Sequence, residues 1–446
     1  MNDGAGQWLW FLDDELVHTF LNVEPENTQL ARRATSHPSV VKAMRLWLRG
    51  SADEALQELA PAVEEGDADA LLLQGQINFE RGRFEAAAES YGALAEIFPD
   101  HPSASLNQGL CLARLQRWRA AVESLRSAVV LDPDRAQAWQ SLGVCLLHEQ
   151  RTAEARSAFL HTLKLRPDYA PAWLGQAAAL QLEERHEEAL AIYDRMLEVQ
   201  PEREEILTNS LAAVVALRDQ RKARELAARL LQVRPNSPAA FLALASAATA
   251  DQDFGEAARW WSRLTETNPE SFEDWYNLGV CYQRQFKPDQ AGEAFERACE
   301  LKADDPDALE GLAAALREQH QTAKALEAWR ALVRAAPGRD DAWFQIGLLH
   351  YDANQPAEAI GAFEECARLK PDRGDAWLNA ACCRWSAGDA EGASQAFEAV
   401  LRLEPGNVTA KRSRVALAIE RGDVDAALRL YHDLPPGDWD LAYNLA

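Results

Sequence analysis

The sequence predicts an all-α chain built as a solenoid of antiparallel helix pairs, and three observations carry that prediction. Proline returns every 34 residues, at Pro99, Pro133, Pro167, Pro201, Pro235, Pro269, Pro337, Pro371 and Pro405, with Ala303 in the one remaining register. An alanine follows each of these positions by 22 residues, from Ala121 to Ala427 without exception, and four residues later a large side chain usually stands, as at Phe159, Tyr193, Trp261, Phe295, Trp329, Phe363 and Phe397. Composition agrees, since Ala, Leu, Glu and Arg lose little side-chain freedom in helices and β-branched runs are scarce.

A fixed period of this length means stacked helical hairpins rather than several globular domains. Proline cannot donate to a helical ladder and pushes the preceding residue out of the α region, so it ends the second helix of each pair. The first helix restarts beyond it, and we number each unit from the third residue after its proline. Tryptophans six residues after the proline, at Trp139, Trp173, Trp275, Trp343 and Trp377, fall in the first turn of that helix, where they can cover the seam between units. Gly or Ala at the eighth position and Ala at the twentieth let the paired helices approach closely. The unit at 204–237 exchanges large and small, with Leu211 in the glycine register and Ala227 in the aromatic one, a swap that conserves volume.

In chain order, residues 1–33 read as an amphipathic capping or docking segment, with Trp8, Leu12, Leu16 and Phe20 four residues apart and Phe11 beside them. Residues 34–67 form a degenerate repeat, 68–407 hold ten regular repeats, and 408–446 hold a further degenerate repeat and a C-terminal helix. That last helix, Asp438–Ala446, is too short to persist alone and predicts a sticky edge for self-association or partner binding through Tyr443 and Leu445.

The pattern W-x2-L-G-x2-Y, then A-x3-F, is met by Trp275, Leu278, Gly279, Tyr282, Ala291 and Phe295, so the chain resembles the tetratricopeptide repeat (TPR) family. The resemblance implies a right-handed superhelical solenoid whose first helices line a concave, protein-binding face. It also implies binding through positions two, five, six, nine, twelve and thirteen of the first helix.

Other functions find little support. A net charge of −24 opposes nucleic acid and anionic lipid. No stretch approaches a membrane span, and the apolar run at Trp8–Leu12 lies among Asp3, Asp13 and Asp14 instead of a basic region. Seven cysteines without paired spacing fit a reducing compartment, so a cytoplasmic location is the default expectation. Cys111, Cys145, Cys281 and Cys383 share the tenth position and read as buried packing residues, and the sequence carries no phosphate-binding, zinc-protease, hydrolase or calcium-loop motif. The expectation is a non-catalytic scaffold without cofactor or metal; the alternative is the regulatory arm of an enzyme whose catalytic part lies elsewhere.

Two sets of groove residues follow from the implied binding face. At position six, Asn107, Asn209, Asn277 and Asn379 resemble an asparagine ladder that holds a peptide backbone, interrupted by Ser141, Gly175, Ala243, Gly311 and Gln345. Further along, Tyr276, Phe344, Tyr351 and Trp385 stand beside Asp307, Glu310, Asp341, Asp352 and Asp375, which suits a ligand with apolar anchors and basic flanks. Position five carries no lysine, which disfavours the carboxylate clamp used by chaperone-binding relatives.

Overall fold

The computed structural model describes residues 37–101 and 103–434; the expected N-terminal segment and the helix at Asp438–Ala446 lie outside them. Among the described residues the chain is all helical, from Pro38–Leu48 to Val424–Tyr431, in consecutive helix-turn-helix pairs. The chain divides into two compact units, Met1–Ala247 and Ala248–Ala446. From Pro38–Leu48 to Gln220–Val233, and again from Phe254–Thr267 to Val424–Tyr431, each helix packs on the next, and some first helices also touch the first helix of the next repeat, as Phe272–Arg284 touches Pro306–Glu318.

The second helices stop two residues before the proline register, at Leu131, Leu165, Val199, Val233, Thr267, Ala335, Leu369 and Leu403. The residue between is extended, as at Arg166 (φ −138°, ψ 85°). Lys302, which precedes Ala303, adopts the same geometry (φ −142°, ψ 86°), so packing of the hairpins sustains the turn once proline is gone. Proline has a second use that periodicity alone does not show. The indole N–H of Trp139, Trp173, Trp275 and Trp377 donates to the carbonyl of Pro133, Pro167, Pro269 and Pro371 at 2.8–3.1 Å, tying the first turn of one helix to the end of the previous one. These tryptophans are half-buried, not core residues.

The core aromatics sit at the twenty-fourth position. Tyr91, Phe159, Tyr193, Phe295, Phe363 and Phe397 are at most 1% exposed. Each ring fills the room left by a small residue across the hairpin: a Cβ on Gly143, Gly279 or Gly347 would lie 2.6–2.8 Å from Phe159, Phe295 or Phe363. Leu211 and Ala227 are both buried, so the exchanged volumes lie within a closed core.

The turn inside each pair is equally periodic. Gln116, Gln150, Glu184, Arg218, Gln252, Phe286, His320 and Asn354 all have φ between 55° and 60°, and Gly388 and Gly422 continue the register. This is the left-handed cap that closes a helix: Gln150 N–H donates to Leu147 O and Arg151 N–H to Leu146 O, both at 2.9 Å. A side chain in this region costs about 1 kcal/mol. Phe286 is 87% exposed there, so Phe286→Gly should leave the fold intact and stabilise it by up to about 1 kcal/mol, less the entropy glycine adds to the unfolded chain. Urea unfolding of the two proteins checks this.

Candidate functional site

In the unit Ala248–Ala446, the first helices of successive repeats carry the expected aromatic set. Tyr276 and Phe344 occupy position five and Tyr351 and Trp385 position twelve; Tyr351 is 54% exposed and the others are half-buried. Three of the rings rest edge-on against the core aromatic of their own hairpin. Tyr276 lies 5.9 Å from Phe295, Phe344 5.5 Å from Phe363, and Trp385 6.3 Å from Phe397. A surface ring braced by a buried ring loses little freedom when a ligand covers it, which suits it as an anchor.

Of the expected acids, Asp307, Glu310, Asp341 and Asp375 are ion-paired, while Asp352 is exposed. Glu310 and Asp307 both meet the Arg339 guanidinium, and Asp340, Asp341 and Asp375 accept from Arg373 at 2.7–3.0 Å. Arg373 also lies 4.2 Å over the Phe344 ring, a cation–π contact that fixes the ring from above. Burial alone would lower the Arg373 guanidinium, but its hydrogen bonds to Asp340, Asp375 and Asp341 prevail and raise it. Five carboxylates share two guanidiniums, so the rim keeps a net negative field. Burial raises the pKa of the Tyr276 phenol first, and Asp307, Asp305 and Glu310 push it further up.

The asparagines separate by environment. Asn107 and Asn209 are 4% exposed, and the Asn209 Nδ2 finds no hydrogen-bond acceptor among the described residues. Asn277 and Asn379 are half-buried, and Asn379 donates from Nδ2 to Asp375 O at 2.9 Å, one turn back on its own helix. Two interruptions of the row have a steric cause. A Cβ on Gly175 or Gly311 would lie 2.5 or 2.6 Å from Cζ of Phe159 or Phe295 in the preceding hairpin, so any side chain there must displace a buried ring.

Trp385 donates its indole N–H to Glu420 at 2.7 Å and lines a cavity of about 540 Å³ with Cys382, Ser386, Gly388 and Arg421. The buried thiols elsewhere are chemically quiet: burial pushes Cys111 and Cys145 up to about 12, where the nucleophilic thiolate is scarce at neutral pH. Among the described residues no cluster of three His, Cys, Asp or Glu is placed to hold a metal, and no helix is long and apolar enough to cross a membrane.

Sequence reasoning missed the two arginines. Arg339 and Arg373 stand two residues before Asp341 and Asp375, at the last position of their repeats, and that spacing is a readable signal for a partner to the acids. Glu420 reaches Trp385 from the next repeat over 35 residues, a pairing that no local pattern announces.

Among solved structures, the chain is similar to a MamA fragment from Desulfovibrio magneticus RS-1, at 20% identity over 38% of this chain and 96% of that one, with a TM-score of 0.35. It is also similar to YrrB, described as a TPR protein with an unusual peptide-binding site, at 18% identity over 41% and 95% of the two chains and a TM-score of 0.39. A third similarity is to Naa15/Naa10 bound to HypK-THB, at 14% identity over 90% and 68% of the two chains, again with a TM-score of 0.39. No curated protein matches the sequence. Profiles of the tetratricopeptide repeat match residues 40–102, 79–129, 106–170, 310–376 and 378–442, and a further profile of that repeat matches 272–305. These segments span more than half of the chain, and with the 34-residue hairpins described above they establish that it belongs to the tetratricopeptide repeat family.

Proposed function

We propose that this chain is a non-catalytic scaffold whose first-helix face binds an extended segment of a partner protein. Tyr276, Phe344, Tyr351 and Trp385 supply the apolar contacts, Asn277 and Asn379 the contacts to ligand backbone, and Glu310 with its neighbouring acids the preference for basic flanks. Asn107 and Asn209 hold the same register in the other unit but are only 4% exposed, so the backbone contacts are assigned to Asn277 and Asn379 alone. The observation that carries this reading is the braced set of rings. Tyr276, Phe344 and Trp385 keep accessible surface while a buried ring holds each of them, an arrangement that a purely structural aromatic does not need.

The net negative rim supports the charge preference, because five carboxylates sharing two guanidiniums favour Lys or Arg beside the apolar anchor. Panning the full chain against a displayed library of random peptides tests the reading. The expected outcome is enrichment of peptides in which aromatic or large aliphatic residues neighbour basic ones, with affinity that falls as salt rises and screens the rim. Enrichment of no class of peptide would defeat the proposal; salt-independent binding would remove the acids from it.

A further inference from the structure

A cavity on the unit Met1–Ala247 uses none of the groove positions. Its walls are Trp173, from the first turn of the helix Ala170–Leu182, and Ile192, Met196 and Val199 from the helix His186–Val199. Asp168 and Arg195 also line this cavity of about 390 Å³. Its existence follows from a departure within the repeat pattern. In two other repeats the residue 22 positions after the seam tryptophan covers that ring: His161 stacks on Trp139 at 4.4 Å, and the Arg297 guanidinium lies 6.0 Å over Trp275. Arg195 holds that register here, yet Trp173 lines open space.

The wall chemistry selects the occupant. An indole face, a thioether and a guanidinium each attract an aromatic ring more than an aliphatic chain, through stacking, sulfur–aromatic and cation–π contacts respectively. Trp173 is held in place by its N–H bond to Pro167 O at 2.9 Å, so the wall is preorganised. Neither Asp168 nor Arg195 forms an ion pair among the described residues, which leaves one charge of each sign for a ligand. The cavity is open along its apolar wall, since Val199, one of its lining residues, is 80% exposed. A free aromatic molecule would leave that surface uncovered, whereas a polypeptide would cover it.

We infer that this cavity receives an aromatic side chain of a partner protein, flanked by one acidic and one basic residue, independently of the groove. The chain has three methionines, Met1, Met44 and Met196, so Met196 is a nearly private reporter. The full chain, labelled with ¹³C at the methionine methyls and with the Met196 signal assigned through Met196→Leu, is titrated with a capped Glu-Trp-Lys tripeptide. Capped Glu-Ala-Lys and indole serve as the comparison probes. The inference expects a saturable ring-current shift of Met196 with Met44 unmoved, no such shift with Glu-Ala-Lys, and indole weaker than the tripeptide by about tenfold. Ile192→Trp, which fills the cavity, should abolish the shift. Val199→Lys, at an exposed position, should weaken it and serves in its place if the first variant does not fold. No saturable shift of Met196, or a shift that survives both substitutions, overturns the inference. Indole binding as tightly as the tripeptide overturns the assignment to a partner protein.

Discussion

Replacing Phe295 by alanine should destabilise its part of the chain by about 3–5 kcal/mol, the range for deleting a large buried ring. Phe295 is 1% exposed, and its ring is sandwiched between Gly279 of its own hairpin and Gly311 of the next. Its loss therefore opens two interfaces at once. Chemical unfolding followed by circular dichroism measures the effect, and it need not be two-state, because repeats far from Phe295 keep their own neighbours. Gly311→Ala approaches the same contact from the other side: the added methyl would meet the ring and should cost about 1–3 kcal/mol through overpacking. Trp275→Ala should cost less than Phe295→Ala, since Trp275 is half-buried and its principal bond is to the Pro269 carbonyl. Equal costs would mean that the seam, not the twenty-fourth position, carries the core.

The second large effect concerns binding. Phe344→Ala with Trp385→Ala should reduce the affinity of a peptide selected by the chain by a hundredfold or more, taking about 2 kcal/mol for each aromatic anchor. Both rings lie on the accessible side of their core partners, so the doubly substituted protein should keep its helicity. Calorimetry on the selected peptide, with circular dichroism beside it, separates the two. Unchanged affinity with intact helicity would exclude both rings from the contact.

The fold was legible because its signal is repeated. One proline is ambiguous, but a proline, a small residue and a bulky residue recurring in one frame leave a single periodic architecture. The left-handed turn shows what periodicity of residue type cannot reveal. Its geometry repeats at Gln116, Gln150, Glu184, Arg218 and onward although several residue types fill the register, because the hydrogen bonds of the helix end impose it whatever the side chain. The Ala303 turn makes the same point, keeping its shape without the proline.

The candidate site was legible to a lesser degree. Positions five and twelve announced the aromatic set, since a known repeat frame tells which face each residue occupies. Position six was harder to read, because Gly175 and Gly311 yield to a ring in the preceding hairpin, a contact between repeats that a single-frame reading does not contain. Arg339 and Arg373 were missed for a related reason. They sit in the turn, outside the helix positions on which a groove is tallied, yet they neutralise part of the acidic charge.

The most direct measurement is photo-cross-linking of a selected peptide to the full chain, with a benzophenone amino acid placed at Tyr351 in one protein and at Phe286 in another. Both side chains are exposed, at 54% and 87%, but Tyr351 lies on the first-helix face and Phe286 in the turn between helices. Binding along the first-helix face should give capture from Tyr351 and none above background from Phe286. Equal capture from the two positions, or capture from Phe286 alone, would contradict binding along the first-helix face.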